Sequence, residues 1–418
     1  MKDLLRKLGL GLSVLLGVVT LVFAIFSLGA DPVENLVSEN TSEEVKQAIR
    51  RKYNLDLGTG QRYLLFLNDL SPLSIHNPNF PESRLHFDDS YAGVKLIGFT
   101  EARALYLKSP YLGRSFVTDR SVSAVLGEAI PGTALLALVA ITIALVLGIG
   151  LGTLAAVRPG SLFDRLALVL AALGMSGPSF FMAMLMAWLG GWVWYETTTL
   201  PVLPFALGLL FALGTWFAKR QGRQVSVLSG TLIGVLAGVA VWIVGSALGW
   251  NTGTIRLPGT GLSMSGSLLE VDVWEGPYLA WENVLLPAIT LGIRPLAVVV
   301  QLMRNALLEV LSQDYIRTAR AKGLSEWRVV LVHGVRNALN PVITAVSGWF
   351  ASMLAGAVFV EFVFGWRGLG LTTYSALEQN DMPVVMGAVI LIAATFVVIN
   401  LLVDVLYAVV DPRVRSNR

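Results

Sequence analysis

Runs of predominantly apolar residues, each about as long as a bilayer is thick, recur through most of this chain. Hydrocarbon offers no partner to a backbone N–H or C=O. A spanning segment must therefore satisfy those groups itself, as a helix, or lie in a closed barrel. About twenty apolar residues in a row select the helix, since a strand crosses in about ten. The qualifying stretches are Leu8–Ala30, Ile130–Val157, Leu166–Trp194, Leu200–Ala218, Val225–Trp250, Asn283–Met303, Val342–Phe364 and Val384–Val410. Composition agrees: 55% of the 418 residues are hydrophobic and 14% charged, with a mean hydropathy of +0.67, far from a soluble domain. The expected fold is an all-α polytopic membrane protein with about eight transmembrane helices.

The basic residues set the expected orientation. Lys2, Arg6 and Lys7 precede the first run, as in a signal peptide, but no A-x-A-like site follows. An uncleaved first helix over 1–30 with a cytoplasmic N-terminus is expected. Segments placed inside hold seventeen Lys and Arg, including Arg158, Arg165, the Lys219–Arg223 turn and the tail Asp411–Arg415. The two short outside loops, Asn251–Glu282 and Gly365–Pro383, hold only Arg256 and Arg367. That asymmetry places both termini in the cytoplasm. Residues 31–122 are polar, with turn signals at Ser71-Pro72, Asn77-Pro78 and Pro81-Glu82 and a short helix expected over Glu43–Leu57. They read as a small extracytoplasmic domain whose charges form a solvated surface. Residues 123–199 then hold the second and third spans, with Pro131 near the first turn of one and Gly174, Gly177 and Pro178 kinking the other.

Much chemistry is excluded. The chain has no cysteine, and His76, His86 and His333 are scattered, so neither a thiolate site nor a histidine metal cluster is available. No G-x-x-x-x-G-K-[ST], G-x-S-x-G or H-E-x-x-H occurs. No cofactor and no nucleic acid are implied, and energy from ATP would have to come from another subunit. An intramembrane enzyme would need paired carboxylates or Ser/Lys clusters within spans. A stand-alone secondary transporter or channel, the alternative reading, would call for internal repeats and mid-membrane ion-coupling residues. Arg294 is the one such charge, and pairing or snorkelling is expected of it. Asp404 sits near the end of the last span, where a helix-end hydrogen bond or partner contact is expected.

The polar stretch 304–341 stands apart. Leu308, Leu311, Tyr315 and Ala319 recur at helical steps, Gly323 falls where a C-cap tolerates positive φ, and Ser325 can cap a second helix. That second helix is expected from Glu326 to about Leu339, stopped by Asn340-Pro341. The pair makes a compact knob between two spans.

The run DYIRTARAKGLSEWRVV, followed by HGVRNALNP, resembles the cytoplasmic coupling loop of ABC-importer permeases, most closely the B-type subunit of peptide/nickel importers. GRSFVTDRSVSAVLGEAIPGTALLA, GTLAAVRPGSLFDRL, GAVFVEFVFGWRGLG and VDVLYAVVDPRVR resemble further segments of that family, in order. The resemblance implies a type I importer permease with a six-helix core and, as a departure from the family, an extra hairpin over 200–250. It implies a path through the inner membrane for peptides or a similar small solute such as a nickel chelate. The implied partners are a second homologous permease, two ATP-hydrolysing subunits, an extracytoplasmic solute-binding protein and membrane lipid. Asp314, Tyr315, Thr318, Ala319, Arg320, Ala321, Lys322, Gly323, Leu324 and Arg328 would couple to the ATPase, with Arg320, Lys322 and Arg328 meeting its acidic groups. Glu361, Gly365, Gly368 and Gly370 would shape an outer gate. The family usually has proline where this chain has Arg367.

Overall fold

The computed structural model describes residues 2–27, 33, 37, 41–81, 83–88, 91–196, 198–220, 226–249, 254–272, 274 and 276–410. The tail 411–418 and the turn 221–225 therefore lie outside the described residues, as do the side chains of Asp404 and Tyr407. Two compact units result: residues 1–184 with 265–418, and residues 185–264.

The first unit begins with α1 (Lys2–Ser27) and a small mixed domain. Within that domain are α2 (Glu43–Lys52), α3 (Thr59–Leu70) and a three-stranded antiparallel sheet that patterning did not reveal. The strands β1 (Leu73–His76), β2 (Gly93–Thr100) and β3 (Arg103–Lys108) pair in the order β1-β3-β2. Ala104, Tyr106 and Lys108 alternate inward along β3. Phe87 stacks on Tyr106 with ring centroids 4.0 Å apart, and His76 packs against both Phe87 and Tyr91. Nor are all the domain's charges solvated: Lys108 is buried and donates to the Asp69 carbonyl, while the Tyr91 hydroxyl donates to Asp69 Oδ1 at 3.0 Å. The helix expected over Glu43–Leu57 stops earlier, because Asn54 takes a left-handed turn at φ 58°.

Helix α4 (Val122–Val157) starts a full two turns before the apolar run, where the Ser121 side chain accepts the Ala124 N–H. Pro131 is consequently interior rather than near a first turn. Helix α5 (Leu162–Ser176) ends at Gly177, since proline at 178 drives the preceding residue out of the α region; Gly177 sits at φ −71°, ψ 134°. The next helical stretch, with α6 (Ser179–Met186) at its start, lies at 113° to α5, so the expected kink is a full break. Helix α9 (Glu282–Leu311) packs along α4, with Leu136, Ala140 and Ile141 meeting Val284 and Ala288 at one level. Val299, Met303 and Leu307 meet Ala156 at another.

The second unit is closed on itself. Helices α7 (Val202–Arg220) and α8 (Val227–Ala247) pack through glycine: a Cβ at Gly234 would lie 2.8 Å from Phe211 Cβ and 2.5 Å from the Leu207 carbonyl. Strands β4 (Thr198–Pro201) and β5 (Thr254–Leu257) of the same unit pair antiparallel.

Among the described residues six helices are long and apolar enough to cross a membrane, and seven if the bent pair counts as one span. The expected eighth, Val342–Phe364, is not among them. That stretch is divided between α12 (Arg336–Gly356), whose first turns carry Arg336, Asn337 and Asn340, and α13 (Val358–Phe364).

Candidate functional site

The knob forms, with altered boundaries. The helical pattern through Leu308 and Ala319 is interrupted at Ser312-Gln313, where Gln313 is extended at ψ 152° and starts α10 (Asp314–Ala321). Gly323 follows at φ +77°, the conformation expected of it. Ser325 is extended ahead of Glu326 but makes no side-chain cap. The second helix does not stop at Asn340-Pro341. One α turn (Glu326–Arg328) widens into a π-helical segment (Val329–Val335) and runs straight into α12 with Pro341 inside it. Such a widened turn absorbs a helix irregularity without ending the helix.

The knob has a dry underside and a polar top. Ile316, Ala319 and Val329 are buried together against Val310, Leu311 and Leu324. Asp314, Tyr315, Thr318, Arg320, Ala321, Lys322, Gly323, Trp327 and Arg328 are exposed. Of the expected coupling residues, Ala319 thus faces inward and Leu324 is half-buried. Arg320 is already engaged, its Nε donating to Glu326 Oε1 at 2.9 Å and its Nη2 to Oε2 at 3.3 Å. Within this chain, then, Arg320 is paired with a glutamate on the following turn. Tyr315 Oη accepts from Asn337 Nδ2 at 3.1 Å, tying α10 to α12.

An ion pair that the charge pattern did not reveal anchors the root of the knob. Arg304 near the end of α9 grips Asp164 in α5, with Nε–Oδ1 2.5 Å and Nη2–Oδ2 2.8 Å. Asp164 is buried and also accepts the Gly160 N–H at 2.8 Å. Its position three residues after Ser161 was the available signal, since it is where a helix first turn favours an acid.

The residues expected to shape an outer gate converge on one carboxylate. Glu361 in α13 is fully buried. Its Oε1 accepts the Thr133 hydroxyl at 2.6 Å, and its Oε2 accepts the N–H groups of Gly370 and Leu371 at 2.7 and 3.1 Å. Thr133 in turn accepts the Leu369 N–H at 2.7 Å. A Cβ at Gly368 would lie 2.5 Å from the Glu361 carboxyl, so that glycine is required by the carboxylate's approach. Gly365 ends α13 in the left-handed region at φ 60°. Trp366 is buried and donates its indole N–H to the Gly132 carbonyl at 3.0 Å. At Arg367 the backbone N–H, which a proline would lack, donates to Ser267 Oγ at 3.1 Å. The expected loop also contains α14 (Leu369–Glu378) and a buried Asp381 that accepts the Ser115 hydroxyl and the Phe116 N–H. A third feature is the break after α5, where Arg294 Nη2 donates to the Gly177 carbonyl at 2.9 Å, the pairing expected of this residue.

Residues 148–416 match the family described as "Binding-protein-dependent transport system inner membrane component". The dipeptide transport system permease protein DppB of Escherichia coli K12 is 36% identical over 67% of this chain and 69% of its own length. The di/tripeptide transport system permease protein DppB of Pseudomonas aeruginosa UCBPP-PA14 is 30% identical over 99% of this chain and 98% of its own. The dipeptide permease DppB of Alkalihalophilus pseudofirmus OF4 is 26% identical over 98% of each. The matched family span covers the knob, its Asp164–Arg304 anchor and the Glu361 loop together. This chain belongs to the family of binding-protein-dependent transport system inner membrane components, the permease subunits of ABC importers.

Proposed function

We propose that this permease conducts peptides and that the exposed top of the knob, from Asp314 to Arg328, is the surface an ATPase subunit grasps. The peptide reading is supported by its relatives, which are named dipeptide and di/tripeptide permeases. It would work with a second homologous permease, two ATP-hydrolysing subunits and an extracytoplasmic solute-binding protein. Both termini and the knob would face the cytoplasm, and residues 31–122 and the Glu361 loop the outside, as the distribution of Lys and Arg supports.

The observation that carries the coupling role is the construction of the knob. Three buried side chains fix α10 to the helix that continues into α12, so force applied to the top is delivered along that helix. Gly323→Pro tests it, because proline is locked near φ −65° and cannot take the +77° found here. The expected outcome is normal membrane insertion with loss of ATPase association or of coupled transport. Unchanged uptake by the assembled importer would overturn it. Since the chain has no native cysteine, Trp327→Cys adds a single thiol. A membrane-impermeant maleimide should reach it in inside-out vesicles and not in intact cells.

A further inference from the structure

Helix α9 is more enclosed than any other candidate span among the described residues, yet it carries Arg294 near its middle with an exposed side chain. Arg294 opens onto a cavity of about 110 Å³ at the α5–α6 break, lined also by Ser179, Met182, Thr290, Trp349 and Ser352. A guanidinium has five N–H donors. One is spent on the Gly177 carbonyl at 2.9 Å, where α5 has run out and its terminal carbonyls carry partial negative charge. Among the described residues no acidic side chain lies within ion-pair distance of Arg294. Glu361, next to the cavity-lining Val360, has both oxygens occupied by Thr133 and the Gly370 and Leu371 amides.

A charge at this depth is retained where it faces a water-filled path and serves the solute. The Gly177 carbonyl fixes one edge of the fork and leaves the rest directed to a space with room for a carboxylate and a water or two, not a whole peptide. The neighbouring hydroxyl of Ser179 and the ring of Trp349 suit a small polar end group followed by an apolar residue, while the Thr290 hydroxyl is spent on the Leu286 carbonyl at 2.8 Å. We propose that Arg294 is a cargo-binding residue that receives the C-terminal carboxylate of a peptide in transit at the break between α5 and α6. This rests on the peptide reading above. Planar two-point recognition is the property that distinguishes arginine from lysine here.

The test uses the complete importer in proteoliposomes and compares uptake of labelled dialanine with that of its C-terminal amide. The free-acid to amide ratio is measured for the wild type, Arg294→Gln, Arg294→Lys and Ser352→Glu. The same solute-binding protein serves every arm, so its own preference cancels when ratios are compared. Arg294→Gln is expected to lower the ratio about tenfold, and Arg294→Lys to lower it less. Ser352→Glu places a competing carboxylate beside the guanidinium from an exposed position, and should lower the ratio without touching Arg294. ATPase activity stimulated by the loaded binding protein reports assembly in each arm. A ratio equal to wild type in assembled Arg294→Gln, or in assembled Ser352→Glu, overturns the carboxylate role while leaving the peptide reading in place. A wild-type importer that moves neither peptide overturns both.

Discussion

The two irregular segments flanking α12 and α13 are built in opposite ways. In the stretch 361–381 the polar atoms are inside: Glu361 sits at the centre, and the chain folds around its oxygens. In the knob, 312–335, the polar atoms are outside and the centre is three apolar side chains. A carboxylate that accepts three hydrogen bonds in a buried setting fixes one geometry, because any other strands a donor. A knob held by Ile316, Ala319 and Val329 keeps its form while its surface charges can be exchanged for contacts with another protein. The difference separates a loop fixed from within from a surface offered to a partner, and substitutions on each side can break it.

The largest loss is expected at Glu361. Glu361→Ala removes the acceptor for Thr133, Gly370 and Leu371 at once and leaves a void beside Gly368. Each stranded buried donor costs about 1–3 kcal/mol, so a total above about 4 kcal/mol is expected. Glu361→Gln, which keeps one oxygen but turns an NH₂ group toward donors, should lie between. Thermal denaturation of the detergent-solubilised importer checks the order; an Ala variant melting with wild type would sink the central role of this carboxylate. Next comes Asp164→Asn, which leaves the Arg304 guanidinium without its counter-charge in a largely buried site. About 3 kcal/mol is expected, as for removal of one partner of a buried pair. The anchor joins α5 to the root of the knob, so coupling should weaken together with stability.

These elements were not equally legible in the sequence. Gly323 was readable because a glycine between two amphipathic repeats has one common use, and its φ of +77° agrees. The grouping of Glu361 with glycines 365, 368 and 370 was readable as a family-like string, but not the reason for it. Thr133, which completes the site, lies more than two hundred residues away in α4, and sequence spacing carries no information at that range. Arg304 read as one more basic residue of a polar stretch, since nothing local reveals that Asp164 is its partner. The end expected at Asn340-Pro341 failed because helical context overrode proline: the π-helical segment just upstream takes up the misfit, and the helix continues. The β-sheet of the small mixed domain escaped notice because one of its strands, β2, is exposed on both faces and shows no alternation.

The small mixed domain after α1 supplies a test in which pH decides. Burial pushes the Asp69 carboxyl up to about 6 from an ordinary 3.8, against the opposing effects of the Tyr91 hydroxyl and the Lys108 charge. Burial likewise lowers the Lys108 ammonium, so both groups are held where their charged forms are disfavoured. With the folded value above the unfolded one, the contribution to stability is complete below about pH 4 and fades as pH rises through 6. Two units correspond to at most about 3 kcal/mol. Asp69→Asn stays neutral throughout and keeps an oxygen for Tyr91. It should therefore flatten the change in melting temperature between pH 4 and pH 7, and be the more stable of the two at pH 7. Parallel profiles for the two proteins would show that Asp69 does not carry this dependence.

The smallest effect on stability is expected where the knob wears its charges. Arg320 and Glu326 form a two-point pair, but both side chains are well exposed, and such a pair contributes about 0.2–1 kcal/mol. A double-mutant cycle with Arg320→Ala and Glu326→Ala should return a coupling energy in that range from melting of the isolated permease. The same substitutions are expected to separate when ATPase association is measured. If the partner presents acidic groups to the top of the knob, it must draw Arg320 away from Glu326. Removing Glu326 then frees the guanidinium and strengthens association, whereas removing Arg320 weakens it. If instead the pair remains closed in the complex and serves only to brace α10 against the turn that follows, both single substitutions weaken association alike. A surface pair of low intrinsic value can be exchanged at little cost, which a buried carboxylate such as Glu361 cannot be, and the sign of the Glu326→Ala effect distinguishes the two uses.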